Sequence, residues 1–354
     1  AIQTGDVILN KTILVCGAGG FIGTHLVNDL KAKGHTVIGV DIKHPLYEDT
    51  RCNEFYKQDL RDANMVDYIF SQYMFDEVYQ LAADMGGAGY IFIGDNDADI
   101  MHNSVSINLH VLDEVRRMNE RLDHYEPEYH PKKQPKIFYS SSACMYPEYA
   151  QMEVENPGLK ESDAYPANPE DGYGWEKLFS ERMCRHFSED YGLETRVARF
   201  HNIYGPMGTF DGGREKAPAA ICRKVIEAKI NDKDIIDVWG DGTQTRSFLY
   251  IDDCVDAVIK LFFSDYSHPI NIGSDEKVTI NKLLSIAEKI SGREFKKNYQ
   301  LEKPQGVRGR SSNNDLIRSK LGWDYKYSLE EGIKKTYNWI ENIYINKKND
   351  EFIR

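Results

Sequence analysis

The stretch GAGGFIG, Gly17–Gly23, constrains the fold more than any other part of this chain. It follows a short apolar run with β-branched residues, Lys11–Cys16 (KTILVC), and opens a stretch of helical periodicity, Phe21–Lys33. Gly17, Gly20 and Gly23 fall at intervals of three, and Gly19 supplies a GxGxxG reading as well. A strand that turns at once into a helix uses glycine for the sharp turn, for close approach of backbone to a pyrophosphate, and for tight packing of helix on strand. The helix start at Phe21 and Ile22 then offers free N–H groups and a positive dipole end to phosphate. Three glycines alone are common in loops; the strand before them and the helix after them make the dinucleotide reading.

The alternation continues. Thr36–Val40, Glu77–Gln80, Lys136–Ser140 and Glu194–Arg199 read as short strands, with amphipathic stretches near Asp99–Glu120 and Tyr173–Tyr191 between them. Such β–α alternation predicts an α/β fold, a doubly wound parallel sheet of Rossmann type with helices on both faces. After about residue 205 glycine-rich segments, GTFDGGREK and WGDGTQTRS, interrupt shorter elements, with helices expected at Pro218–Ala228, Asn281–Ser291 and Ser328–Asn346. We therefore expect a dinucleotide-binding lobe over 11–205, with 239–273 partly returning to it, and a smaller substrate lobe from 206–238 and 274–346. With 354 residues and 41% hydrophobic content, the chain can bury a core of that size. The polar stretch Asp123–Pro135, with its three prolines, reads as a surface loop.

A net charge of −12 repels a nucleic-acid backbone, so any phosphate-bearing ligand needs a local basic pocket. No apolar run approaches the roughly 20 residues that span a bilayer, and AIQTGDVILNK lacks the order of a signal peptide. The six cysteines are widely spaced, with no CxxC pair and no zinc-site spacing, which reads as free thiols in a reducing, cytoplasmic setting and no metal.

Asp41 closes the second strand, about 20 residues beyond the glycines, where a carboxylate accepts from both ribose hydroxyls and repels a 2′-phosphate. That favours NAD over NADP; nearby Lys43 pulls weakly the other way, and the plain alternative is an Asp that caps a turn. Asp59 would hold the adenine amino group or, equally, cap a helix over Leu60–Phe70. Tyr173 and Lys177 form a YxxxK pair whose i,i+4 spacing puts both on one helix face. An ammonium near a phenol lowers its pKa and makes a base for a hydroxyl proton. Ser142 and Cys144 stand in SSSACMYP, at the end of the strand before that helix. On position alone, Cys144 is either a small buried hydrophobe or an acid–base group.

Taken together, KTILVCGAGGFIG, LAADMGG, SSSACMYP, YGWEK, RFHNIYGP, RSFLYIDD and NIGSDE resemble the extended short-chain dehydrogenase/reductases that modify nucleotide sugars. AADMGGAGYI, SSACMYPE, GGREKAPAAICRK, WGDGTQTRSF and GVRGRSSNN are similar to the GDP-mannose 3,5-epimerase family in particular. The resemblance implies transient oxidation at C4 by bound NAD, inversion at C5 and C3, and reduction to a GDP-L-galactose or GDP-L-gulose product. It implies that Ser142 binds the C4 oxygen and that Cys144 and Lys216 are the acid–base pair at carbon, which decides the question that position left open. It also implies sugar contacts from Gly87, Asn202 and Glu215, and diphosphate or guanosine contacts from Lys224, Gln244, Arg246 and Arg308. A homodimer through the two long helices is implied as well.

Related 4,6-dehydratases carry an Asp-Glu pair where this chain has Ala143 and Cys144, and simple 4-epimerases lack both the cysteine and the GGREK lysine. The long stretches at Asp123–Pro135 and 230–237 depart from the family pattern and leave a second GDP-sugar, such as a heptose, or another 4-oxidising reaction, as the alternative. A non-catalytic NAD-sensing protein is the alternative of another class; it leaves the full set Ser142, Cys144, Tyr173, Lys177 and Lys216 unexplained.

Overall fold

In the computed structural model, residues 10–85, 88–91, 93–123 and 135–353 are described. The large lobe is built from strands β1 (Thr12–Cys16), β2 (Thr36–Asp41), β3 (Glu54–Lys57), β4 (Glu77–Gln80), β5 (Lys136–Ser142) and β6 (Glu194–Phe200). Between them run helices α1 (Phe21–Ala32), α2 (Ala63–Gln72), the short α3 (Ala88–Ile91), α4 (Asp97–Asp123) and α5 (Gly172–Tyr191). All strand pairs in this sheet are parallel.

Side chains of β1 show why helices cover both faces. Ile13 and Val15 join one core with Leu26, Val27 and Leu30 of α1. Leu14 and Cys16, pointing the other way, join a second core with Val66 and Ile69 of α2, Val111 and Val115 of α4 and Cys184 of α5. The strand period of two thus divides one apolar run between two helical layers.

Beyond β6 the chain forms β7 (Ile203–Tyr204), α6 (Ala217–Ile230), β8 (Ile235–Trp239), β9 (Thr245–Arg246), β10 (Leu249–Tyr250) and α7 (Ile251–Phe263). It then returns to the large sheet: β11 (Ile270–Ile272) pairs with β6, giving the seven-stranded order β11-β6-β5-β4-β1-β2-β3. The rest comprises β12 (Val278–Thr279), α8 (Ile280–Ser291), β13 (Lys296–Gln300), β14 (Gly309–Arg310), α9 (Asp315–Leu321) and α10 (Leu329–Ile353). β8 pairs with β13, and β9 lies between β12 and β14. The first core continues without a break into this lobe, through Cys222 and Val225 of α6, Leu283 of α8 and Ile333 of α10.

Two expectations need correction. The second helix begins at Ala63, not Leu60, and its cap is Asp62, whose side chain accepts from Asn64 N; Asp59 is therefore not a helix cap. The last helix runs on to Ile353 instead of ending at Asn346. Residues 124–134 of the expected loop lie outside the described residues. Among the described residues no helix is long and apolar enough to cross a membrane.

Candidate active site

β1 delivers the chain into Gly17 at φ +85°, where a Cβ would stand 2.9 Å from Ala82 N. A Cβ on Gly19 would overlap Lys43 O, and one on Gly23 would overlap Gly17 O. The loop is thus folded so closely on itself that only glycine fits. α1 starts at Phe21 with Gly20 as its cap and no side-chain hydrogen bond to its first turn, so its N–H groups remain available to a ligand. Asp41 ends β2 beside the loop and accepts from Gly19 N at 2.9 Å. Burial pushes its pKa up, and the Gly19 and Lys43 backbone groups oppose that rise. A cradle closed to Cβ atoms, a helix N-terminus and a carboxylate at the next strand end fit a dinucleotide of the NAD type. Asp59 is held by Arg61, which donates to it at 2.7 Å and keeps its carboxyl below the ordinary range.

The chemical groups gather at the C-terminal end of β5. Ser142 closes the strand, and its hydroxyl accepts from Cys144 N at 3.1 Å, capping the single turn Ala143–Met145. α5 packs directly on that turn. A Cβ on Gly174 would overlap the Cys144 carbonyl oxygen, so the glycine inside YGWEK is what lets Tyr173 come close to Cys144. Asp171 caps α5 by accepting from Gly174 N at 2.8 Å. Lys177, one turn on, donates to Ser140 O at 2.8 Å and lies 5.4 Å from the Tyr173 ring centre.

Tyr173 is buried, and burial pushes its phenol well up; the charge of Cys144 adds to that, and the Ser142 hydroxyl opposes it. The expected lowering of the phenol pKa by Lys177 is therefore outweighed, because loss of water disfavours phenolate more than the neighbours favour it. Burial also pushes Lys177 down, partly offset by Glu176 and Cys144. Lys216, the residue before α6, is half-buried; enclosure pushes its ammonium down, and Cys144 is the first group to oppose that. Ser142, Cys144, Tyr173 and Lys177 thus lie together at the C-terminal end of β5, and the charge of Cys144 acts on Tyr173, Lys177 and Lys216.

The expected substrate residues fall into three groups. Gly87 lies outside the described residues. Asn202 sits at the mouth of β6 with φ +47°, a left-handed backbone that non-glycine residues adopt mainly under local constraint. Arg246 is buried near Cys144 and donates to the carbonyls of Thr245 and Gln305; burial and then the Arg310 charge disfavour its cation. Gln244 is buried, and its Oε1 has no hydrogen-bond partner among the described residues. The remaining three make contacts of their own: Glu215 accepts from Gly213 N at 2.7 Å, Lys224 donates to Asp237 O at 3.0 Å, and Arg308 donates to Thr243 Oγ1 at 2.7 Å.

Sequence reasoning missed Arg310. It is buried in β14 and donates to Cys144 Sγ at 3.3 Å and to Gln151 Oε1 at 2.6 Å. Arg246 and Arg310 are two buried guanidiniums with no carboxylate within ion-pair distance among the described residues. A guanidinium does not give up its proton, so this charge calls for an anion. GVRGR carried no local signal for this: strand alternation would put Arg308 and Arg310 on one face, and Arg310 is buried where β14 pairs with β9.

Comparison with known proteins agrees with this geometry. Residues 13–273 match the model of the NAD dependent epimerase/dehydratase family. GDP-mannose 3,5-epimerase of Arabidopsis thaliana is 46% identical over 94% of this chain and 82% of its own. GDP-L-fucose synthase of Sinorhizobium fredii is 28% identical over 94% of this chain and 96% of its own. Among solved structures, UDP-glucose 4-epimerase of Thermotoga maritima with UDP-glucose superposes with TM-score 0.81 and 26% identity, covering 94% of this chain and 99% of that one. The chain belongs to the NAD-dependent epimerase/dehydratase family, within its GDP-mannose 3,5-epimerase branch.

Proposed function

We propose that this chain is a GDP-mannose 3,5-epimerase in which Tyr173, Lys177 and Ser142 serve the C4 hydroxyl, and Cys144 and Lys216 serve C5 and C3. The observation that carries the reading is the position of Cys144: inside the turn that Ser142 caps, packed with Tyr173, and bonded at its sulfur by Arg310 at 3.3 Å. When bound, NAD supplies hydride acceptance from C4 and its return. Gly17, Gly20, Phe21, Ile22 and Gly23 would hold its pyrophosphate and Asp41 its ribose; Asp59, paired with Arg61, would face the adenine end.

The protein's own residues move the protons. Ser142 holds the C4 oxygen, and Tyr173 takes the hydroxyl proton and later gives it back. Burial favours the neutral phenol, so proton uptake there relies on the nearby Lys177 ammonium to hold the phenolate. With C4 a carbonyl, the C–H bonds at C5 and C3 become acidic. One of Cys144 and Lys216 removes the proton, and the other delivers one to the opposite face. The charge of Cys144 opposes the loss of charge that burial imposes on Lys216, which suits that exchange. Such catalysis by one positioned group is worth roughly 10²–10⁴-fold in rate. Arg246 and Arg310 would hold the diphosphate end. Asn202, Glu215 and the segment with Gly87 would face the sugar, and Lys224, Gln244 and Arg308 the nucleoside side.

Assembly as a homodimer is supported by large exposed apolar side chains on the adjacent helices α4 and α5: Met101, Leu109, Trp175 and Phe179. Six free cysteines support a reducing location such as the cytoplasm.

Proton NMR of GDP-mannose with NAD⁺ and the protein in D₂O tests the function. The reading requires loss of the H3 and H5 signals and new galactose- or gulose-type products. Loss of H5 alone would make it a single-site epimerase. No exchange at either carbon would reject GDP-mannose and turn attention to larger GDP-sugars.

A further inference from the structure

We infer that Arg214 is a positioning residue for proton transfer at carbon, clasping the segment that carries Lys216 onto the large lobe. The inference rests on the role proposed above for Lys216.

Arg214 stands two residues before Lys216 and directly after Gly212 and Gly213. Both glycines have positive φ, +87° and +93°, with open space around them. They contribute no side chain that could fix the segment, so its place depends on the residues that follow. Glu215 is committed to its own lobe, accepting from Gly213 N at 2.7 Å and lying 3.5 Å from Arg223 of α6. Arg214 is the one that crosses. Its guanidinium lies 3.9 Å from the Tyr90 ring centre, donates to Met85 O at 3.3 Å, and lies 3.7 Å from Asp84 Oδ1.

The receiving side is itself anchored. Asp84 Oδ1 accepts from the Tyr90 hydroxyl at 2.9 Å, and Asp84 Oδ2 accepts from Asn103 Nδ2 at 3.0 Å. Asp84 N donates to Ser104 Oγ at 3.0 Å, which ties the segment to α4. Tyr90 belongs to the same apolar cluster as Cys144, Tyr173, Ile91 and Ile100. One aromatic ring therefore carries Arg214 on its face and packs in the cluster that holds Cys144. The clasp fixes the segment of Lys216 relative to the cluster of Cys144, the relation on which transfer between two faces of a sugar ring depends. A planar guanidinium suits it, since it can stack on a ring and donate in its plane at once. The Arg214 side chain is 54% exposed, so the fold does not depend on it and a substitution there gives a folded protein.

The test compares wild type, Arg214→Gln, Arg214→Lys and Lys216→Ala with GDP-mannose and NAD⁺ in D₂O. Exchange at C3 and C5 is read by NMR, and oxidation at C4 separately by the near-ultraviolet absorbance of reduced nicotinamide. Misplacing a reacting group by about 1 Å costs on the order of 10²-fold. We expect Arg214→Gln to lower carbon exchange by about 10- to 100-fold in kcat, with little change in KM and with C4 oxidation retained. Arg214→Lys should recover part of the exchange, because an ammonium can sit over the Tyr90 ring but cannot also reproduce the fork. Full exchange in Arg214→Gln with none in Lys216→Ala overturns the role of Arg214 alone. Equal loss of C4 oxidation and carbon exchange in Arg214→Gln overturns it too, since a general structural role predicts that pattern. Normal exchange in Lys216→Ala overturns both this inference and the acid–base role on which it rests.

Discussion

Arg310 donates to the sulfur of Cys144 at 3.3 Å from a strand 166 residues further along the chain. The small lobe therefore reaches Cys144 by a route separate from the segment of Lys216. The same guanidinium is fixed by Gln151 Oε1 at 2.6 Å, so its position does not depend on the thiol. A fixed cation beside a sulfur favours the anionic form in the transition state of proton removal. Arg310→Met should lower kcat for carbon exchange by about 10²-fold, the scale of one lost preorganised donor. Arg310→Lys should recover little, since a lysine cannot bond Gln151 and Cys144 in one plane. Steady-state kinetics with GDP-mannose checks both.

Gly174→Ala tests the contact between α5 and the Cys144 turn. The added methyl would overlap the Cys144 carbonyl oxygen, which is backbone and has little room to yield. Overpacking of this kind costs about 1–3 kcal/mol. The variant should melt lower and lose most activity, because the turn carrying Cys144 and the helix carrying Tyr173 are pushed apart. Calorimetry together with the NMR assay reads both effects.

Much of this was legible beforehand. The alternating runs placed β1, β2, β4, β5 and β6, whose interiors are buried and carry apolar or β-branched residues. β3 was not found: EFYK is a half-exposed edge strand with no such run. The two-residue strands β9, β12 and β14 were also hidden, since their pairing is decided by how the small lobe closes and not by local pattern. Tyr173 and Lys177 followed from helical spacing. The gathering of Cys144, Lys216 and Arg310 did not, because it joins three segments that no periodicity relates.

His201 gives the protein an acid-sensitive point behind the site. It is fully buried, its Nε2 lies 2.9 Å from Asn271 Oδ1, and burial pushes its pKa down to about 3. The folded pKa lies below the unfolded value of about 6.5, so the unfolded chain binds the proton more readily. Stability from this residue is present above pH about 6.5 and falls steadily as pH drops toward about 3. Urea midpoints should decline over that window, and His201→Gln should flatten the decline.

The paired helices α4 and α5 expose Leu109 and Phe179 at 46% and 55%. Burying such side chains against a second copy removes apolar surface from water. Phe179→Arg should shift the protein to monomer in sedimentation velocity and remove the concentration dependence of its unfolding midpoint, lowering that midpoint by the lost mass-action stabilisation.

The most direct measurement is deuterium exchange at C3 and C5 of GDP-mannose by Cys144→Ala, alongside nucleotide binding followed by calorimetry. Cys144 is half-buried beside Tyr173 and is bonded by Arg310, so removing its sulfur should remove proton transfer at carbon and leave the glycine cradle untouched. The account predicts no carbon exchange with unchanged NAD affinity. A Cys144→Ala protein that exchanges H3 and H5 at the wild-type rate would contradict it.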